Sequence, residues 1–240
     1  MTKLQKFVEK LKEIFQDRLK SVFVYGSKSN LPLDSLDEDV DIMVIVESLS
    51  GEDLRKCANP VKAWRHNGFL NLRCVNPLPV FMEEKEWFNS ADVYAMEYLD
   101  IKDNHQVIFG DNLICDICVD KEDLRFECEM QMKNLLMQFR AHYLSTACNN
   151  SNMKTALIPV TKTINAVFKA ILRLKDIEVS KSAYENLNKI HLFFDLDKEF
   201  YEKLLCYKEK HCCISNAELV NIMDKAVFET EKLLEYINSL

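Results

Sequence analysis

Apolar residues in the first part of this chain fall mainly in short runs, a pattern that predicts strands of a sheet. Before the first run, apolar residues three and four apart predict an amphipathic helix over residues 2–20. A further helix is expected to start at Gly51 and to kink at Pro60. Strands are predicted at the runs themselves, which cover residues 22–25, 42–46, 70–75, 78–82, 92–100 and, as a short strand or turn, 105–109.

From Glu122 onward the spacing of apolar residues becomes that of helices and stays so. Short polar segments separate these stretches, which predicts antiparallel neighbouring helices in a bundle. The predicted helices cover residues 122–147, 153–175, 181–192, 197–209 and 216–238. The chain is therefore expected to be of the α+β class, with a mixed β-sheet domain over residues 1–121 and an all-helical bundle domain over residues 122–240.

The composition is that of a globular protein, because 48% of its 240 residues are hydrophobic and can fill the cores of one large or two ordinary domains. No apolar segment approaches the roughly 20 residues of a membrane helix, and the N-terminus lacks the apolar core of a signal peptide. Nine cysteines, an odd number, suit reduced thiols better than a disulfide framework. We therefore expect a cytoplasmic protein with no membrane partner.

The net charge of −7 comes almost entirely from residues 1–121. Binding to a nucleic-acid backbone depends on Lys and Arg side chains that neutralise phosphates. An acidic chain is poorly suited to that task, so nucleic acid is not expected as a partner. A small molecule or another protein is favoured instead, and the sequence allows an oligomer without specifying one.

Two groups of cysteines have spacings that suggest a metal or redox role. The pair at Cys115 and Cys118 is not followed by a second pair at zinc-finger spacing. The densest cluster of soft ligands consists of Cys206, His211, Cys212 and Cys213. Adjacent cysteines chelate one ion awkwardly, so neither group is expected to be a functional site.

The stretch from residue 21 to residue 47 combines two apolar runs with the chemistry of a phosphate and metal site. Residues two apart on a strand point to the same face, so Asp39 and Asp41 are expected to project together from the start of the second strand. Mg²⁺ is commonly bound by one or two carboxylates together with substrate phosphates. At the end of the first strand, Gly26 would let a phosphate approach the backbone and the Ser27 hydroxyl would donate to it.

An apolar strand, Gly26-Ser27, a polar loop and Asp39-x-Asp41 on a second strand, in this order and spacing, resemble the signature of the nucleotidyltransferase fold. That fold is shared by DNA polymerase beta, the aminoglycoside nucleotidyltransferases and the small bacterial MNT-type proteins. The resemblance implies transfer of a nucleoside monophosphate from a nucleoside triphosphate to an acceptor hydroxyl, with Mg²⁺ or Mn²⁺ as cofactor and pyrophosphate as leaving group. The acceptor is not specified, and a small molecule is favoured over a protein.

The resemblance also implies three carboxylates, the third on a strand beside the Asp-x-Asp strand. Asp39 and Asp41 would bind the metal. Glu97, inside the predicted strand over residues 92–100, is the candidate for the third, because an unpaired carboxylate in an apolar strand is costly to bury. It would complete the metal site, act as general base on the acceptor hydroxyl, or both. Asp92 and Asp100 are the alternatives.

The same resemblance assigns the triphosphate to Gly26 and Ser27, with Lys28 as a charge partner. MNT-type proteins usually carry Arg and a further Gly after Gly-Ser, whereas this chain continues with Lys28-Ser29-Asn30. The details of triphosphate contact are therefore expected to differ. A second functional class is a non-catalytic nucleotide-binding or protein-binding module of antitoxin or regulatory type, which would keep the fold without the transfer.

Overall fold

The structure, a computed structural model, describes residues 1–36, 38–67, 73–146, 151–210 and 216–240. The chain divides into two compact units, Met1–Val119 and Asp120–Leu240. Within the described residues, every strand belongs to the first unit and the second unit contains helices. The predicted α+β class, a mixed sheet followed by a helical region, is therefore confirmed. His211, Cys212 and Cys213 of the soft-ligand cluster lie outside the described residues.

A four-stranded mixed sheet forms the centre of the first unit. The strands of this unit are β1 (Leu19–Tyr25), β2 (Asp41–Val46), β3 (His66–Asn67), β4 (Arg73–Cys74), β5 (Val80–Glu83) and β6 (His105–Gly110). The large sheet has the order β5-β2-β1-β6, in which β1 is antiparallel to both neighbours and β2 is parallel to β5. β3 and β4 form a separate antiparallel pair. Of the predicted strand 70–75, residues 70–72 lie outside the described residues.

The described residues of the first unit also form four α-helices, namely α1 (Lys3–Phe15), α2 (Gly51–Arg65), α3 (Glu84–Asn89) and α4 (Ala95–Asp103). Thr2 caps α1 and Ser50 caps α2, each through a capping box that satisfies backbone N–H groups of the first turn. The helix predicted to start at Gly51 is confirmed, and it continues through Pro60 to its end. The first helix is shorter than predicted, because the backbone leaves the helical conformation at Gln16, whose φ is +51°, and β1 then begins at Leu19.

Side chains cover both faces of the large sheet, which explains the continuous apolar runs of its central strands. One core joins alternate residues of β1 and β2 to side chains of α1 and α2, among them Val22, Val24, Ile42, Val44, Leu4, Leu11 and Trp64. The core on the other face joins the intervening strand residues to α3 and α4, among them Phe23, Met43, Ile45, Trp87, Tyr98 and Ile101.

The predicted strand over residues 92–100 is wrong, because most of this segment forms α4. The buried residues Ala95, Tyr98 and Ile101 are three apart, a helical spacing that is hard to recognise in a short apolar run. Tyr98 stacks on Trp87 with ring centroids 4.4 Å apart, and its hydroxyl donates to the Trp87 carbonyl oxygen at 2.7 Å. These tertiary contacts stabilise the helix.

In the part of the second unit that the structure describes, the helices are α5 (Lys121–Thr146), α6 (Ser151–Leu174), α7 (Ala183–His191), α8 (Lys198–Lys210) and α9 (Asn216–Asn238). All five helices were predicted, because their apolar residues keep a helical spacing over long stretches. Among its buried polar groups, Glu229 accepts a hydrogen bond from the Asp197 N–H at 3.0 Å. None of the described helices is both long enough and apolar enough to cross a membrane.

Candidate functional site

A glycine turn follows β1. Gly26 has a φ of +82°, in the left-handed region that favours glycine. Its N–H donates to the Asn104 carbonyl oxygen at 3.0 Å, and its own carbonyl oxygen accepts from the Ser29 N–H at 3.1 Å. Within this turn, the side chain of Ser27 is exposed and that of Ser29 is buried. The turn is therefore held to the chain after α4 and presents the Ser27 side chain to solvent.

Asp41 begins β2 and lies beside this turn. It is the cross-strand partner of Tyr25, the last residue of β1. Its Oδ2 atom lies 3.5 Å from the position that a Cβ atom would take on Gly26, so the exposed carboxylate sits against a backbone with no side chain. Burial, together with the negative charge of Asp41, raises the pKa of Tyr25 to about 12, so the Tyr25 hydroxyl keeps its proton near neutral pH.

Asp39 does not lie on β2, which corrects the expectation that both acids project from the start of one strand. Its φ is +54°, and its N–H donates to the Val75 carbonyl oxygen at 2.8 Å, outside the ladder of the large sheet. The alternation of side chains along a strand therefore does not apply to it. Its carboxylate is 84% exposed, and its Oδ2 atom lies 3.5 Å from Lys28 Nζ. Both acids thus adjoin the glycine turn, Asp41 at Gly26 and Asp39 through Lys28.

A buried asparagine positions the loop that leads into β2. The Asn76 side chain accepts from the Val40 N–H at 3.1 Å and donates to the Trp64 carbonyl oxygen at 3.0 Å. Val40 itself is fully buried in the first core, between the two acids in sequence. Asn76 thereby links the loop to the end of α2. Sequence reasoning missed it, because its partners are distant in sequence and its surroundings resemble a linker.

The third expected carboxylate is not at this site. Glu97 lies in the first turn of α4 and is exposed. Within the ranges that the structure describes, no three His, Cys, Asp or Glu side chains form a group that could hold a metal ion, so Glu97 does not converge with Asp39 and Asp41. The same holds for the alternatives: Asp92 is exposed before α4, and Asp100 is half-buried on it.

The strand beside β2 has apolar residues where an acid was expected. β5 pairs with β2 so that Val80 lies next to Met43 and Met82 next to Ile45. Met43 and Ile45 alternate with Asp41 on one face of the sheet, so Val80 and Met82 share that face. Val80 is 39% exposed. On the Asp41 face of the sheet, β5 therefore contributes no carboxylate.

Two exposed carboxylates beside a glycine turn are hard oxygen donors, the ligands that Mg²⁺ and Mn²⁺ prefer. Two such groups fit a cation that is shared with phosphate oxygens better than one held by the protein alone. Lys28 adds a positive charge, and its Nζ atom also donates to the Glu38 carbonyl oxygen at 2.8 Å. The arrangement can therefore bind phosphates at the turn and a divalent cation at the acids.

No family model matches the sequence, and no curated protein sequence is similar to it. Among solved structures, the chain is similar to a spectinomycin adenyltransferase from Enterococcus faecialis crystallised with ATP and spectinomycin, with a TM-score of 0.60, 11% identity, and coverage of 97% of this chain and 99% of that chain. A nucleotidyltransferase-like protein from Exiguobacterium sibiricum gives a TM-score of 0.44 and 13% identity over 97% and 75% of the two chains. The first likeness confirms the predicted fold.

Proposed function

We propose that this chain, which has the nucleotidyltransferase fold, binds a nucleoside triphosphate together with Mg²⁺ or Mn²⁺ and transfers its nucleoside monophosphate to an acceptor hydroxyl. The observation that carries the proposal is the position of the Asp41 carboxylate, whose Oδ2 atom lies 3.5 Å from the place that a Cβ atom would take on Gly26. It places a carboxylate oxygen beside the one backbone position of this turn that has no side chain. A phosphate and a cation that shares its oxygens would both fit there.

Each residue of the site has a role in this proposal. The Ser27 hydroxyl donates to a phosphate oxygen, and the Lys28 ammonium neutralises phosphate charge. Asp39 and Asp41 would hold the cation, and Asp39 then exchanges its ion pair with Lys28 for that bond. When bound, the cation supplies neutralisation of the negative charge that in-line transfer spreads over the phosphoryl oxygens. The acceptor oxygen forms a bond to the α-phosphorus as the bond to pyrophosphate breaks.

The acceptor proposed is a small hydroxyl-bearing molecule. The acidic charge of the first unit disfavours a polynucleotide, and the similar adenyltransferase was crystallised with a small molecule, spectinomycin. A protein hydroxyl is the second choice of acceptor.

A nucleotide-binding module without transfer is the second candidate function. It is favoured by the lack of a third carboxylate: within the described ranges, none joins Asp39 and Asp41 in a group that could hold a metal ion. On β5, the residue that pairs with Met43 of β2 is the apolar Val80. Such a module would bind the triphosphate through the same turn. It would not release pyrophosphate.

Thermal unfolding with ATP, with and without Mg²⁺, tests the binding. A ligand at 100 times its dissociation constant adds about 2.7 kcal/mol of stability. We expect this gain with Mg²⁺ in the wild type and in Asp34→Asn, an exposed acid in the preceding loop, but not in the double variant Asp39→Asn, Asp41→Asn. An Mg²⁺-dependent gain that survives in the double variant would reject the metal assignment.

Pyrophosphate release separates the two candidates. With Mg·ATP and a panel of hydroxyl-bearing small molecules that includes spectinomycin, a transferase releases pyrophosphate in proportion to the modified acceptor. Binding without release at any acceptor would support the module instead. An absence of Mg²⁺-dependent ATP binding would contradict both candidates.

A further inference from the structure

Three side chains form a row across three adjacent strands at the end of the sheet that carries the glycine turn. Tyr25 on β1 is the cross-strand partner of Asp41 on β2 and of His105 on β6. Directly opposite residues of an antiparallel pair share a face, so all three side chains lie on one face of the sheet. Neighbouring strands are about 4.8 Å apart, which puts the backbones of Asp41 and His105 about 10 Å apart.

The His105 ring is fixed in orientation and in tautomer. Its Nδ1 atom lies 3.0 Å from the Ile101 carbonyl oxygen and 3.2 Å from that of Lys102, both in the last turn of α4. Carbonyl oxygens only accept, so Nδ1 carries the proton of the neutral ring and Nε2 keeps its lone pair. The Phe23 ring packs edge-on against the imidazole, with centroids 6.5 Å apart at 76°. The half-buried ring therefore presents Nε2 as a hydrogen-bond acceptor.

We propose that His105 is the general base of the transfer, a role that rests on the proposed function. The acceptor hydroxyl lies between the triphosphate at the Asp41 end of the row and Nε2 at the other end, over Tyr25. Its proton passes to Nε2 and leaves an imidazolium, while its oxygen bonds to the α-phosphorus. The bond from the α-phosphorus to pyrophosphate breaks, and pyrophosphate carries away that electron pair.

The assignment explains how transfer can proceed although β5 has no carboxylate on the face of the sheet that carries Asp41. In the sheet order, β5 lies on one side of β2, whereas His105 lies on β6, which is on the other side of β2 beyond β1. The residue before His105 is hydrogen-bonded to the glycine turn, because the Gly26 N–H donates to the Asn104 carbonyl oxygen. A purely structural role would also use Nδ1, because that atom caps the last turn of α4. Only the catalytic role requires Nε2, so two variants that change this atom can distinguish the catalytic role from the structural one.

His105→Asn places an amide N–H near the position of Nδ1 and lacks Nε2, so it keeps the cap and removes the base. His105→Gln places an amide near Nε2 that cannot take a proton. We expect both variants to keep the Mg²⁺-dependent stabilisation by ATP and to release pyrophosphate at least 100-fold more slowly, within the usual range for a lost general base. His191→Gln, an exposed histidine on α7, is the control and should match the wild type.

The assay measures pyrophosphate release from Mg·ATP, with spectinomycin as probe acceptor and with water as acceptor in its absence. Added imidazole should restore part of the rate in His105→Ala, which a lost cap would not allow. Nitrogen NMR should show the Nδ1–H tautomer for the resonances that disappear in His105→Gln. If His105→Asn and His105→Gln release pyrophosphate at the wild-type rate, His105 is not the general base, and the proposed function is unaffected. No release by the wild-type protein with any acceptor of the panel overturns the proposed function and this role with it.

Discussion

The Oδ2 atom of Asp41 lies 3.5 Å from the place of a Cβ atom on Gly26, whose φ is +82°. A methyl group would fit at that distance, so the cost of Gly26→Ala comes from the backbone, where a left-handed L-residue is disfavoured by about 1–2 kcal/mol. We expect urea unfolding to show a loss of that size. ATP binding should weaken as well, because the methyl group would occupy the space through which a phosphate approaches the backbone at Gly26.

Two further glycines of the first unit, Gly51 and Gly110, provide controls for this prediction. Gly51 opens α2, and a Cβ atom there would meet only the flexible Arg55 side chain at 3.7 Å, so Gly51→Ala should be neutral or slightly stabilising. Gly110 has a φ of +80°, and a Cβ atom would lie 1.9 Å from the Lys20 carbonyl oxygen. Gly110→Ala should therefore be the most damaging of the three. A different order would contradict the backbone argument.

Asn76→Ala should reduce both stability and metal binding. The substitution removes the buried side-chain partner of the Val40 N–H and of the Trp64 carbonyl oxygen, and an unsatisfied buried group costs about 1–3 kcal/mol. Because Val40 stands between the two acids, the loop that positions them should also loosen. Urea unfolding and Mn²⁺ titration with ATP measure the two effects. Asn89→Ala, at an exposed asparagine of α3, should change neither.

Lys28→Met should affect ligand binding more than stability. The ion pair with Asp39 is largely exposed, at 33% and 84% of the two side chains, and such pairs contribute about 0–1 kcal/mol. A lost charge-assisted bond to a phosphate costs about 1.5–3 kcal/mol, which is roughly 10-fold to 100-fold in affinity. Calorimetry with Mg·ATP measures the affinity. Lys10→Met, which removes another exposed ion pair, should leave affinity unchanged; equal effects in both variants would rule out a phosphate contact.

Acid should destabilise the first unit through Asp53. Hydrogen bonds from Arg18 at 2.8 and 3.0 Å, and then from Ser50, hold the pKa of this carboxyl well below its usual range. A lowered folded-state pKa adds stability above the unfolded-state pKa of about 3.9, and this stability is lost as the pH falls toward the folded-state value. Wild-type unfolding free energy should therefore drop between neutral pH and pH values below about 4.

Asp53→Asn should remove most of that drop, because it abolishes the titrating group while keeping a side chain of similar shape. Glu52→Gln is the matched control, since Glu52 makes only an exposed pair with Lys56 on α2. Urea unfolding at a series of pH values should show a steep fall of the unfolding free energy at acid pH in the wild type and in Glu52→Gln. If the unfolding free energy of Asp53→Asn fell as steeply with acid pH as that of the wild type, other carboxyl groups would be the cause of the acid sensitivity.

Local sequence patterns were sufficient for most of the elements and for the family resemblance. A helical spacing kept over long stretches identifies all five helices of the second unit, because side-chain periodicity follows directly from backbone geometry. Gly26 and Asp41 could be recognised as site candidates for a similar reason. Each lies at the end of a buried strand, and the chain between them forms the single connection between two antiparallel neighbours.

Tertiary structure decided the features that depend on partners distant in sequence. The segment around Glu97 forms a helix because Tyr98 stacks on Trp87, a contact that no period within one short run reveals. Asp39 leaves the strand because its N–H bonds to Val75, far along the chain. His105 comes into line with Asp41 only through strand order and register. The sequence by itself thus determined which residues could carry chemistry, whereas long-range hydrogen bonds and packing decided which of them meet.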